Sequence, residues 1–219
     1  MNEILFLFHI ILILSFLGIA VRVGFPALMG TVALCGVLAN LFVVKQVALF
    51  GLHVTCSDVY AIGGIMGLNL IQELYGKERA KETSIAALLV LVCFACMAEM
   101  HLLYQPSYYD QTHSSYVAIL SSSPRIIAAS CFVYFLVQRL DIIWFGLLRR
   151  FLSSLSLRLL FSLLVSQAVD TVLFSFLGLY GLVSSILDII IMSFAIKCAV
   201  IACSAPLAAF LKRFSREMA

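Results

Sequence analysis

The chain has 219 residues, of which 63% are hydrophobic and only 11% charged. Its mean hydropathy is +1.13, which excludes a water-soluble globular domain and identifies an integral membrane protein whose first partner is the lipid bilayer. A net charge of +3 spread through apolar sequence gives no ground for a nucleic-acid partner.

Seven apolar runs lie near residues 4–21, 24–46, 54–75, 83–104, 126–148, 159–180 and 184–211. Each reaches the roughly 18–20 residues that cross a bilayer at about 1.5 Å per residue. The run 4–21 has neither a basic leader nor a small-x-small cleavage site beside Arg22, so it reads as a helix and not as a signal peptide. The second run carries Asn40 toward one membrane face. The third carries Gly63, Gly64 and Gly67, which allow close backbone approach, and then Asn69, Gln72 and Glu73 at i, i+3 and i+4 on one helical face. Lys77 to Glu82 forms a charged connector.

The fourth run contains Cys93-x-x-Cys96 without a βαβ setting or histidine partners, which reads as packing and not as redox or metal chemistry. The long polar stretch from Gln105 to Pro124 is a loop or a partial lid. Tyr134, Gln138 and Asp141 share a face of the fifth run, and residues 149–158 form a second basic connector. On the sixth run Ser166 and Asp170 lie one turn apart with Gln167 adjacent. A turn near Gly178 to Gly181 makes the last two runs an antiparallel hairpin, and Ser193 and Lys197 lie one turn apart on the seventh.

If the runs alternate across the membrane, Arg22, Lys77, Arg79, Lys81, Arg149, Arg150, Arg158, Lys212, Arg213 and Arg216 fall on one side. The positive-inside rule makes that side cytoplasmic, with the N-terminus outside and the C-terminus inside. Ionisable groups inside spans are costly, roughly 2.5–3.5 kcal/mol each on insertion scales, so they are candidates for function. Asp170 and Lys197 sit near mid-membrane, Asn69, Asp141 and Glu73 further inward, and Asn40 outward. The alternative for each is structural: interhelical hydrogen bonds for the amides, and a buried ion pair holding two helices in register for Asp170 and Lys197. The four histidines are scattered without metal-ligand spacing, and no phosphate-binding G-x-x-x-x-G-K-[ST] loop occurs. These features imply no metal, no cofactor, no ATPase activity of the chain's own and no enzyme; they suggest a carrier of a small polar solute.

Phe50-Gly51, Asn69, Glu73-Leu74-Tyr75-Gly76, Ala80-Lys81, Arg125-Ile126, Gln138, Leu140-Asp141, Ser166-Gln167, Asp170-Thr171, Phe174, Lys197 and Pro206 together resemble the queuosine precursor transporter family of vitamin-uptake type, from about Asn40 to Pro206. The resemblance implies a single transmembrane domain, an all-α six-helix transporter bundle over 24–211 with 4–21 as one extra N-terminal helix. It also implies import of a 7-deazaguanine, the precursors preQ0 or preQ1 or the base queuine, into the cytoplasm across an inner or plasma membrane. A homodimer is compatible with it. The alternative is the substrate-binding membrane subunit of an ATP-driven vitamin importer. The implied substrate-binding residues are Asn40, Asn69, Glu73, Gln138, Asp141, Gln167, Asp170 and Lys197. The sequence departs from the family pattern at position 69, where Asn replaces the usual Asp. A guanine-like edge offers N–H donors to a carboxylate such as Asp170 or Glu73 and a carbonyl to Asn69, Gln167 or Lys197, while Tyr60, Tyr134, Phe174 and Phe176 could stack on the ring.

Overall fold

The computed structural model describes residues 2–43, 45–49, 52–55, 57–120, 124–180, 186–187, 190–191, 193–199 and 201–202. Within these the chain is built from helices: α1 (Asn2–Val23), α2 (Phe25–Phe42), α3 (Asp58–Tyr75), α4 (Lys77–Leu102), the short α5 (His113–Leu120), α6 (Pro124–Phe151) and α7 (Leu155–Phe174). A π-helical turn, Ser175–Leu179, extends α7, and residues 193–199 are again helical. Phe50, Gly51, Gly181 and Pro206, and much of the run 184–211, lie outside the described residues.

Among the described residues, five helical segments are long and apolar enough to cross a membrane: α1, α2, α4, 128–151 of α6 and 155–178 of α7 with its extension. The protein is therefore an all-α integral membrane protein. The sequence also expected a span at 54–75, and the structure places α3 there as the helix the bundle closes around. It packs against α1, α2, α4, α6 and α7. Its residues from Ile62 to Gln72 are all buried. Such a helix can carry Asn69, Gln72 and Glu73 because it faces protein and not lipid.

Helix breaks follow glycine. Gly24 has φ 120° and separates α1 from α2, whose first turn holds Pro26. Gly76 has φ 91° and both ends α3 and begins α4, its N–H donating to the Gln72 carbonyl. Only a residue without Cβ adopts that region at low cost. The glycines of α3 serve a different purpose. A Cβ on Gly63 would stand 2.9 Å from Ile13 of α1, and one on Gly67 2.7 Å from Val32 of α2 and 3.1 Å from Leu17 of α1. Three helices thus meet at near-backbone distance, the small-residue packing that drives association where lipid supplies no hydrophobic force. Helix α1 is part of this packing, with Phe6, Ile10, Leu14 and Leu17 buried.

Two details depart from the expected runs. Strand β1 (Gln46–Leu49) pairs antiparallel with β2 (Leu52–Thr55) in the register Gln46 to Thr55 and Leu49 to Leu52. The β-branched and aromatic-flanked stretch prefers an extended backbone over continuing either helix, so α2 stops at Phe42 and α3 starts only at Asp58. The Asn2 side chain donates to the Ala48 carbonyl at 3.0 Å and ties the N-terminus to this strand pair. The polar stretch after α4 contains a turn held by Asp110, which accepts from the backbone N–H and hydroxyl of Thr112 at 2.7 and 2.8 Å; these bonds keep its carboxyl below the ordinary range. Helix α5 follows, packing on α4 and α2. The thiols of Cys93 and Cys96 are free.

Candidate functional site

The inward face of α6 carries Ser130, Tyr134, Gln138, Asp141 and Phe145, spaced three or four residues apart, so one stripe of the helix runs polar through most of the bundle. At one end, Ser130 donates to Asn40 of α2 at 2.5 Å, while the Asn40 amide donates to the Gly36 carbonyl at 3.0 Å. At the other end, Arg158 of α7 grips Glu73 of α3 with two bonds, 2.6 and 3.2 Å, and lies over the Phe145 ring at 5.6 Å. Nearby, Gln72 donates across to the Ile142 carbonyl at 3.0 Å, a reach that Gly146 permits because a Cβ there would stand 3.2 Å from the amide nitrogen.

Between these bonded ends lies a centre that carries more unbonded atoms. Asp141 is fully buried, and its Oδ1 accepts hydroxyl bonds from Ser162 and Ser166 of α7, both 2.6 Å, while its Oδ2 has no partner. The Asn69 amide stands close to this carboxylate but outside hydrogen-bond geometry, so its Nδ2 and Oδ1 are unbonded. The side-chain polar atoms of Gln138 and of Gln167, and the Tyr134 hydroxyl, are likewise buried outside hydrogen-bond geometry, with Tyr134 and Gln138 near enough to act on one another. Asn69, Asp141 and Gln167 are 0% exposed and Gln138 is 1% exposed. Leaving one buried polar group unbonded costs about 1–3 kcal/mol, and native proteins rarely accept several together. Three amides and one carboxylate oxygen, supplied by α3, α6 and α7, form a set of donors and acceptors suited to a planar polar molecule.

A second polar group adjoins the first. Asp170 and Thr171 follow Gln167 by one turn on α7, and Lys197 donates to Asp170 at 2.7 Å and to the Thr171 hydroxyl at 3.1 Å. The sequence expectation that Asp170 and Lys197 are neighbours agrees with this geometry. Asp58, at the start of α3, is a third member, 3.5 Å from the ammonium.

Of the eight residues singled out in the sequence, Asn69, Gln138, Asp141 and Gln167 thus carry the unbonded atoms, Asp170 and Lys197 pair beside them, Asn40 closes one end with Ser130, and Glu73 is held by Arg158 at the other. Arg158 corrects the sequence reading, which put it in a basic connector. It is the fourth residue of α7, 5% exposed and buried with its carboxylate. Sequence reasoning also missed Asp58, Ser130 and Ser162. Ser162 had a signal, since it precedes Ser166 by four residues and so shares its face. Of the aromatics proposed for stacking, Tyr60 packs on His9 and Phe42, and Phe176 is exposed and stacked on Tyr180.

A bundle of membrane-spanning helices with a buried, incompletely bonded polar centre is the architecture of a small-molecule transporter, and comparison with known proteins agrees. The family model "Putative vitamin uptake transporter" matches residues 59–211. The "Probable queuosine precursor transporter" of Bacillus subtilis (strain 168) is 30% identical over 211 residues, covering 94% of this chain and 90% of the relative. No solved structure matches the chain. The chain belongs to the queuosine precursor transporter family, of vitamin-uptake type. The alignment with the relative leaves fewer residues of this chain uncovered than the 22 of α1, so this helix is at least partly matched there.

Proposed function

We propose that this protein imports a 7-deazaguanine, preQ0, preQ1 or queuine, into the cytoplasm. The observation that carries the proposal is the cluster of unbonded polar atoms on Asn69, Gln138, Asp141 and Gln167 at the centre of the bundle. A 2-amino-4-oxo pyrimidine edge presents adjacent N–H donors and a carbonyl acceptor. Asp141 Oδ2 would accept from the donors, an amide nitrogen of Asn69 or Gln167 would donate to the carbonyl, and Gln138 would bond the remaining ring atoms. Bonds that form only with ligand present make binding selective, because an analogue lacking a donor leaves the buried acceptor unpaired.

The side chains at this centre have almost no exposure, which fits a carrier seen with both entrances closed. We assign the Asn40–Ser130 contact to the outer closure and the Glu73–Arg158 pair to the cytoplasmic one, with Asp170 and Lys197 bordering the ligand. The orientation follows from the basic residues: the N-terminus outside, the connectors near Arg79 and Arg150 inside. The alternative reading as the membrane subunit of an ATP-driven importer gains no support from the relatives. The deciding experiment is uptake of labelled preQ0, preQ1 and queuine by cells lacking their own transporter and synthesis. Accumulation of at least one, lost in the Asp141→Asn/Gln167→Leu double variant at equal membrane abundance, is the expected result; no uptake of any of the three by the wild type would overturn the proposal.

A further inference from the structure

The Asp58, Lys197 and Asp170 group has features that ligand binding does not require. It joins two helices and the segment 193–199, and it holds two carboxylates against one ammonium, so the three side chains in their ordinary charge states carry one net negative charge inside the membrane. Lys197 is 5% exposed at the side chain and bonds Asp170 at 2.7 Å, but Asp58 at only 3.5 Å. The ammonium is therefore committed to Asp170 and Thr171, and Asp58 is the less compensated carboxylate. The charged groups acting on Asp58 among the described residues are Lys197 and Asp170. The elements around it add none nearer: α1 brings His9, which sits edge-on to Tyr60 at 4.6 Å, and α6 brings Asp141, separated from Asp170 by Ser166 and one turn of α7. Asp58 and Asp170 are also 13% and 26% exposed at the side chain, whereas Asn69, Asp141 and Gln167 are wholly covered. This group is thus less covered by protein than the closed centre.

We propose that Asp58, poised against the Lys197–Asp170 pair, is a proton-binding site that couples substrate uptake to proton entry. The step is a simple protonation: the Asp58 carboxylate takes one proton from the water on the side to which the site is open, becomes a neutral acid, and returns the proton on the other side. No bond in the substrate changes. Protonation brings the group from one net negative charge to none, and a neutral group is far cheaper to carry through a closed, dehydrated intermediate than an uncompensated one. A metal cation is the less suitable occupant, because the Lys197 ammonium already fills the space between the carboxylates. Coupling to the substrate follows from position, since Asp170 lies one turn from Gln167 and any shift of Lys197 acts on the helix that also presents Ser166 to Asp141.

The inference rests on the transporter reading, and one preparation separates the two. The full chain is reconstituted in proteoliposomes, and labelled preQ1, with preQ0 and queuine in parallel, is followed in two modes: exchange against internal unlabelled compound without a gradient, and accumulation under an inward proton gradient with the membrane potential clamped. Absence of exchange for all three overturns the transporter reading itself. Exchange with about tenfold accumulation at one pH unit, the limit for one proton per substrate, is expected of the wild type. Asp58→Asn should keep exchange within about twofold yet lose accumulation and proton uptake, and Asp58→Glu should restore both. Exchange without any response of the wild type to the proton gradient, accumulation driven by a sodium gradient alone, or full gradient-driven accumulation by Asp58→Asn would each overturn the inference. So would loss of exchange in both Asp58 variants when size-exclusion profiles show them folded, since Asp58 would then belong to the substrate site.

Discussion

The Glu73–Arg158 pair offers the sharpest test of what holds the bundle and what serves transport. Both side chains are about 95% covered, and the shorter bond is 2.6 Å. At that distance the attraction between unit charges is about 6 kcal/mol for an effective dielectric near 20. Removing two ions from water costs several kcal/mol apiece, so the pair as a whole contributes little net stability. Breaking it is another matter: one charge left alone in the bundle should cost about 3–5 kcal/mol. Arg158→Leu takes both guanidinium bonds from the Glu73 carboxylate, and Glu73→Gln strands the guanidinium, whose Nε already lacks a partner. The combination Glu73→Leu with Arg158→Leu removes both charges and should regain most of the loss. Thermal midpoints in detergent, together with uptake per folded molecule, measure both consequences. The expected pattern is two unstable single variants and a stable double variant with impaired uptake, because the closure it formed is gone. Single variants as stable as the wild type would refute the electrostatic reasoning, and a stable double variant with full uptake would remove Glu73 from the transport machinery.

Gly67→Ala should destabilise by about 1–3 kcal/mol through overpacking, since its Cβ would press on Val32 and Leu17, whereas Gly30→Ala, with open space around it, should leave the thermal midpoint unchanged. Gln167→Leu should leave stability equal or raised, because it removes two unbonded buried polar atoms, and should lower deazaguanine uptake at least about tenfold; uptake at the wild-type level would take Gln167 out of the site. Single cysteines introduced at Tyr108 and at Arg150 in a background without accessible thiols should react with impermeant reagent from opposite sides of the membrane, and labelling from the same side would overturn the orientation.

Much of this arrangement was legible in the sequence, and the reason is physical. In lipid a polar side chain needs a purpose, so helical spacing alone could group Asn69 with Gln72 and Glu73, Gln138 with Asp141, and Ser166 with Asp170. Cost also predicted the Asp170–Lys197 pair, since each charge alone is expensive and the two lie on successive helices. What was hidden depends on partners remote in sequence. Arg158 looked like connector charge because it lies eight residues after Arg150, yet the chain turns at 152–154 and carries it into α7, 85 residues from Glu73. Asp58 drew no attention near the start of the run 54–75, because nothing local marks the strands before it and its partner Lys197 is remote in sequence. The placement of α1 against Gly63 and Gly67 was likewise invisible, since its near-uniform apolar composition favours no face.

The distribution of satisfied and unsatisfied groups argues for function more strongly than any single residue does. A polar stripe kept only to glue helices together would be bonded as it is between Asn40 and Ser130, and largely as it is between Glu73 and Arg158. Replacing the interior members by leucine would then be a stabilising change available to any sequence. Instead, among the described residues, seven of the thirteen unbonded buried side-chain atoms lie together on Asn69, Gln138, Asp141 and Gln167, where three helices converge, and the other six are spread singly over six side chains. The stability forgone there is recovered only when something else supplies the missing donors and acceptors. A carrier that must bind its cargo in one half of its cycle and release it in the other benefits from a centre of this kind: bonded in full, it would have no reason to accept the substrate, and stripped of polarity it could not distinguish it.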